Sequence, residues 1–176
     1  MRSIYFSHIE TPIGQMIACS SEKGIILLQF EEPAQPYIEK FSPDRTVELI
    51  QSKNTFLSKL EDQLKEYFSG NRMNFSIDLD LQGSELRQKI WHIVRNIPFG
   101  ETRFYEEIAR ETGRKNYTRV IANANAHNDI LLVIPCHRVI GSGNKLTGYR
   151  GGIERKRWLI NFERSLVSKE CRNTLF

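Results

Sequence analysis

The apolar residues of this chain change their spacing near Gln82-Gly83, and one kind of layer cannot serve both halves. Before that point, alternating runs at residues 4–9, 15–19 and 24–30 are separated by the turn signals Thr11-Pro12-Ile13-Gly14 and Ser21-Glu22-Lys23-Gly24. They predict a small antiparallel meander. Residues 31–43, with three prolines, predict a loop. Phe56, Leu57, Leu60, Leu64, Tyr67 and Phe68 recur at helical spacing up to Gly70, and then Phe75, Ile77, Leu79 and Leu81 alternate, so a helix and one more strand are expected.

After Gly83 the signals are helical. Ser84 is placed to cap a helix carrying Leu86, Ile90, Ile93, Val94 and Ile97, stopped by Pro98. A helix over 105–112 ends at Gly113, and another over 117–127 takes Asn116 as its N-cap. Two short helices joined by a tight glycine-containing turn are a helix-turn-helix signature. Ala122, Ala124 and Ala126 on its second helix suit either core packing or close approach to a DNA groove. Ile153, Leu159, Ile160, Phe162 and Leu166 give the last helix its apolar face. The expected fold class is α+β. An N-terminal α+β support domain with an antiparallel sheet covers residues 1–80, and a mainly helical domain with the helix-turn-helix covers 84–168. Residues 169–176 are expected to form a mobile tail.

At 176 residues, with 40% hydrophobic and 26% charged residues, the composition is that of a globular protein and excludes collagen-like, coiled-coil and disordered classes. The longest apolar run, 130–135, is far short of the ~20 residues of a bilayer span. The first ten residues lack the apolar stretch of a signal peptide, so no membrane and a cytoplasmic location are expected. Cys19, Cys136 and Cys171 have neither CxxC spacing nor an even count, which argues for free thiols and against a disulfide framework or zinc ribbon. Charge is divided unevenly. Residues 1–86 carry 8 Lys/Arg against 13 Asp/Glu, a balance of −5, while residues 87–176 carry 17 against 8, a balance of +9. A polyanion such as nucleic acid would suit the basic half, although lopsided charge also occurs with no partner.

The chemistry-bearing segment is Leu131-Leu132-Val133-Ile134-Pro135-Cys136-His137-Arg138-Val139-Ile140-Gly141. Its apolar run and Pro135 predict an extended chain, in which Cys136 and His137 point to opposite faces and couple only through a water or a local bend. Neighbouring positive charge favours the thiolate. A lone Cys in an apolar run is often a small buried hydrophobe, and Cys19 and Cys171 are read so. A Cys held between Pro and His-Arg is instead read as a nucleophile. Glu163, between Phe162 and Leu166, is expected to be partly buried and to seek a partner such as a His, or else to pair with an Arg on the helix surface.

These residues resemble the O6-alkylguanine–DNA alkyltransferase family. The resemblance is carried by Pro135-Cys136-His137-Arg138-Val139, by Pro98-Phe99-Gly100-Glu101 followed by Tyr105, and by Arg119, Asn128, Tyr149-Arg150-Gly151-Gly152 and Glu163. It runs in register from Ser84 to Glu163, and more weakly through Thr11-Pro12-Ile13-Gly14. It implies that Cys136 accepts the alkyl group, that His137 removes its proton through a water, and that Glu163 orients His137. Asn128 would be the hinge between the recognition helix and an active-site strand. Arg119 would fill the gap left by an extruded nucleotide, and Tyr105 would help rotate the lesion and protonate the guanine ring. Val139, Tyr149 and the backbone near Arg150 would line the pocket, with Asn123 beside Arg119 on the DNA-facing helix. The implied partner is double-stranded DNA containing alkylated guanine, or O4-alkylthymine, approached through the minor groove by a protein that is monomeric in solution. Cooperative binding on DNA is left open, and no cofactor or metal is expected.

Three departures from the family pattern stand out: Phe104, Ile121-Ala122-Asn123, and Asp129 where Pro is usual. Other classes fit less well. The related lesion binders lack the acceptor Cys, a transcriptional regulator would call for dimerisation elements, and a Cys–His hydrolase needs its His facing the thiol.

Overall fold

The computed structural model describes residues 2–32 and 47–173, so most of the expected loop over 31–43 lies outside the described residues. The chain divides into two compact units, Met1–Gln82 and Gly83–Phe176. Among the described residues no helix is long and apolar enough to cross a membrane.

The first unit holds β1 (Arg2–Ile9), β2 (Met16–Ser20), β3 (Ile25–Phe30), β4 (Val47–Gln51) and α1 (Thr55–Phe68). The sheet order is β3-β2-β1-β4. β1 and β2 pair antiparallel, as do β2 and β3, forming the expected meander. β4, which the sequence pattern does not announce, pairs parallel to β1 with Ile4 opposite Leu49. Helix α1 lies on β1 and β2 and buries Leu57, Leu60, Leu64 and Tyr67, each worth roughly 1.5–3 kcal/mol of burial for a side chain of that size. Asn54 caps the helix by accepting from the Leu57 N–H at 3.1 Å, and Ser20 Oγ donates to the same oxygen at 3.0 Å, which ties β2 to the helix start.

The strand expected over Phe75, Ile77, Leu79 and Leu81 is not formed. Only an isolated bridge between Leu79 and Ile25 is present, with the Ile25 N–H donating to Asp78 O and the Asp80 N–H to Ile25 O, each at 2.9 Å. Alternation appears here because one side of the segment is buried, without a ladder. The crossing needs Gly24: its φ is +155°, and a Cβ there would stand 2.5 Å from Asp78 O.

The second unit contains α2 (Glu85–Arg95), β5 (Arg103–Phe104), α3 (Tyr105–Glu111), α4 (Thr118–Ala126), a single 3-10 turn (Cys136–Arg138), β6 (Val139–Ile140) and α5 (Ile153–Asn173). Ser84 caps α2 as expected. Helices α3 and α4 pack together across Gly113, whose φ of +82° forms the tight turn. Asn116 is not the cap of α4. Tyr117 holds that position and makes no side-chain capping bond, because the preceding turn closes through Tyr117 N–H to Arg114 O. Trp91 on α2 donates Nε1 to Ala124 O at 2.9 Å, fixing α4 from behind. Helix α5 extends to Asn173, so residues 169–173 of the expected tail continue the helix. β5 and β6 pair parallel, Arg103 opposite Val139 and Phe104 opposite Ile140, which ties the start of α3 to the strand that follows the 3-10 turn.

Candidate active site

The segment before Cys136 is not the expected strand. Residues 131–134 form successive turns, with the Val133 N–H donating to Leu131 O and the Ile134 N–H to Ile130 O. Leu132 sits at φ +67°, a conformation that costs a non-glycine residue about 1–3 kcal/mol. Asn128 replaces the missing ladder. Its Oδ1 accepts from the Ile130 N–H at 2.9 Å, and its Nδ2 donates to Ile134 O at 2.8 Å and to Cys136 Sγ at 3.2 Å. One amide therefore closes the turns and holds the sulfur. Cys136 and His137 then enter a 3-10 turn, both buried, which supplies the local bend between them.

His137 makes no direct hydrogen bond to the sulfur. Its Nε2 meets Glu163 Oε1 at 2.8 Å, and both side chains are essentially inaccessible. Arg138 clasps the same carboxylate with a parallel pair of bonds, Nε to Oε2 and Nη2 to Oε1, each 3.0 Å, and its Nη1 donates to Ile97 O at 2.6 Å. The Gly100 N–H adds a bond to Glu163 Oε2 at 3.1 Å. Burial alone would raise the Glu163 carboxyl, but His137 and Arg138 outweigh it and hold it well below the usual carboxylate range. Burial lowers the His137 pKa despite Glu163, so the imidazole is neutral at neutral pH. An ionised Glu163 can only accept, which places the imidazole proton on Nε2 and leaves the lone pair on Nδ1. That Nδ1 is buried and meets no protein group.

The thiol behaves differently from the sequence expectation. Burial pushes the Cys136 thiol up, and the opposing pull of the Asn128 bond, Lys156 and Arg150 does not overcome it. Lys156, which the sequence pattern gave no role, is fully buried on α5. Its Nζ donates to Val139 O at 2.7 Å, Thr147 O at 2.9 Å and Gly148 O at 3.3 Å. Burial brings its pKa down to about 8, partly offset by Cys136.

A cavity of about 340 Å³ opens onto Cys136. Tyr105, Asn125, Thr147, Tyr149 and Arg150 form its walls, with Ala122 and Ala126 at one side. Burial pushes the Tyr105 hydroxyl up, opposed by Thr147. The Tyr149 ring meets His137 edge-on, with centroids 6.3 Å apart. Arg150 Nη1 reaches Asp129 Oδ1 at 2.9 Å, so the acidic departure beside Asn128 is answered by a pocket residue.

Of the site residues read from the sequence, the structure thus groups Cys136, Tyr105, Tyr149 and Arg150 at the cavity, and His137, Asn128 and Glu163 in the buried layer behind it. Val139 is fully buried and is not part of the cavity wall; its carbonyl anchors Lys156 instead. Arg119, Ala122, Asn123 and Ala126 are exposed on α4, while Ala124 is in the core. The small residues of α4 therefore divide between the two uses that their spacing allowed. Arg138, Lys156 and Asn125 also belong to the site; of these, only Arg138, inside the Pro135–Val139 motif, carries a signal in the sequence.

Comparison with known proteins identifies the class. Residues 85–165 match the family described as 6-O-methylguanine DNA methyltransferase, DNA binding domain, and residues 4–81 match its ribonuclease-like domain. The methylated-DNA–protein-cysteine methyltransferase of Mycobacterium tuberculosis is 38% identical over 98% of this chain and 99% of its own length. The constitutive enzyme of that name from Bacillus subtilis is 36% identical over 91% of this chain and 95% of its own. Crystal structures of the M. tuberculosis O6-methylguanine methyltransferase and of M. tuberculosis OGT in complex with DNA superpose with TM-scores of 0.80 and 0.79 at 36% identity, each covering 92% of this chain and 93% and 94% of theirs. The chain belongs to the methylated-DNA–protein-cysteine methyltransferase family.

Proposed function

We propose that this protein repairs DNA by moving the alkyl group of O6-alkylguanine onto Cys136 Sγ, once per molecule. The observation that carries the proposal is Cys136 at an open cavity, held by Asn128 and backed by the buried His137–Glu163–Arg138 network.

An alkyl group on a stacked base is out of reach of a buried thiol, so the nucleotide is rotated out of the duplex at a cost of a few kcal/mol. The exposed face of α4 meets the minor groove, where Ala122 and Ala126 permit close approach, Asn123 contacts the DNA, and Arg119 occupies the space that the nucleotide leaves. Contacts of this kind fall mainly on phosphates and are indifferent to sequence, as repair requires.

In the cavity the chemistry is a displacement at carbon. The Cys136 proton passes through a water to His137 Nδ1, and Glu163 stabilises the resulting imidazolium at Nε2. Because burial keeps the thiol protonated, this base is necessary. Sulfur attacks the alkyl carbon, the carbon–O6 bond breaks, and the electron pair leaves with the guanine. Tyr105, which burial keeps protonated, donates to the guanine ring so that the leaving group departs neutral. The thioether is stable, which limits each chain to one event. A Cys–His hydrolase would need the imidazole bonded to the sulfur, whereas His137 Nδ1, the nitrogen that Glu163 leaves open, makes no hydrogen bond to Cys136 or any other protein group.

Cys136→Ala is the direct test. It should abolish transfer from a duplex containing O6-methylguanine while leaving DNA binding within about threefold, since the thiol lies off the binding face. Transfer by Cys136→Ala would place the acceptor elsewhere.

A further inference from the structure

Asn125 lies on α4 at 6% exposure and lines the same cavity as Cys136. Its Oδ1 and Nδ2 are both buried, and neither has a hydrogen-bond partner. It stands close enough to Tyr105 to favour that hydroxyl's ionised form, without a bond of ordinary geometry. Buried amides are almost always satisfied within a fold. Nearby Asn128 illustrates the rule, with its amide used on both sides. An amide in a cavity wall with no bond of ordinary geometry on either side is complementary to a ligand that enters with one donor and one acceptor.

Resting on the base-binding reading of this cavity, we propose that Asn125 recognises the 2-amino group of O6-alkylguanine and so selects guanine lesions over thymine lesions. A side-chain amide presents an acceptor beside a donor, the arrangement by which Asn reads a ring nitrogen next to an exocyclic amine. O6-alkylguanine offers that pair: its 2-amino group donates to Oδ1, and an adjacent ring nitrogen accepts from Nδ2. O4-alkylthymine offers ring nitrogen and O2, both acceptors, so Oδ1 stays unpaired and buried when that base enters. Sites built to bond a polar group discriminate strongly against analogues that lack it, because their own polar atoms are then stranded.

The test compares single-turnover transfer rates, at saturating protein, from three otherwise identical duplexes: O6-methylguanine, O6-methylhypoxanthine, which lacks only the 2-amino group, and O4-methylthymine. The natural protein should favour O6-methylguanine over O6-methylhypoxanthine by about tenfold, the worth of one hydrogen bond, and react most slowly with O4-methylthymine. In Asn125→Leu the ratio between the two purines should collapse to about one. Asn125→Ala, which likewise removes both polar atoms, gives the same comparison if the leucine variant does not fold. Equal rates on the two purines in the natural protein, or an unchanged ratio in a folded variant, would overturn the assignment. Absence of transfer from all three duplexes would instead overturn the base-binding reading of the cavity, and the role of Asn125 with it.

Discussion

At Cys136 two influences oppose each other. Burial raises the thiol pKa, and Asn128, Lys156 and Arg150 lower it without prevailing. The site therefore depends on its base, and the cations determine how demanding the proton transfer is. Replacing Lys156 by Met removes one of them, and each further unit on the thiol pKa lowers the thiolate fraction at neutral pH about tenfold. Reaction of Lys156→Met with free O6-benzylguanine should accordingly be slower at pH 7 and rise toward the natural rate only at higher pH. A profile with unchanged shape would show that Lys156 only braces the loop. Glu163 tests the layer behind. Glu163→Gln leaves Arg138 buried without its counter-charge and should lose about 3–5 kcal/mol of stability at pH 7. The folded carboxyl titrates below its unfolded value near 4.3, so its contribution is complete above that pH and is lost as pH falls through it. Urea unfolding should therefore show the gap between natural and Glu163→Gln proteins narrowing below about pH 4. A gap that stays constant on acidification would contradict the pairing.

At the scale of elements, identical substitutions should have different consequences. Gly113→Ala, in the turn between α3 and α4, meets no atom within 4 Å but must hold φ +82°, so it should cost about 1–2 kcal/mol in denaturant unfolding. Gly24→Ala adds a backbone collision 2.5 Å away and should cost clearly more. Equal losses would mean that the close crossing near Asp78 relaxes freely. The elements legible in the sequence are those fixed by neighbours along the chain: the 3.6 period and caps of α1 and α2, the glycine stop of α3, the meander. The segment 131–138 reads as extended in the sequence because an apolar run looks alike in a buried strand and in buried turns. The group that decides between them, the Asn128 amide, satisfies the backbone from outside the run. β4 has no local signal because it gains its place only by pairing with β1, far away in sequence. At the site, the motif residues could be read, whereas Lys156 and Asn125 became visible only when burial showed them enclosed.

For the whole molecule, the basic half is only partly a surface for DNA. Arg138, Arg150 and Lys156 have internal partners, so the exposed face of α4 carries a smaller share of the +9 balance than the count of residues 87–176 suggests. Duplex binding should still weaken with salt, because phosphate contacts release counterions. Arg119→Ala should slow repair in duplex DNA by roughly tenfold, equivalent to about 1.4 kcal/mol, while reaction with free O6-benzylguanine changes by less than about twofold. Equal losses in the two assays would remove the role of Arg119 in the duplex. Cys136 as the single acceptor is tested most directly by intact-protein and peptide mass spectrometry after exposure to excess duplex containing O6-methylguanine. The protein should gain one methyl group per chain, on the peptide containing Cys136, with no further gain on longer incubation. Methyl on any other peptide, continued turnover without modification, or no mass gain would contradict it.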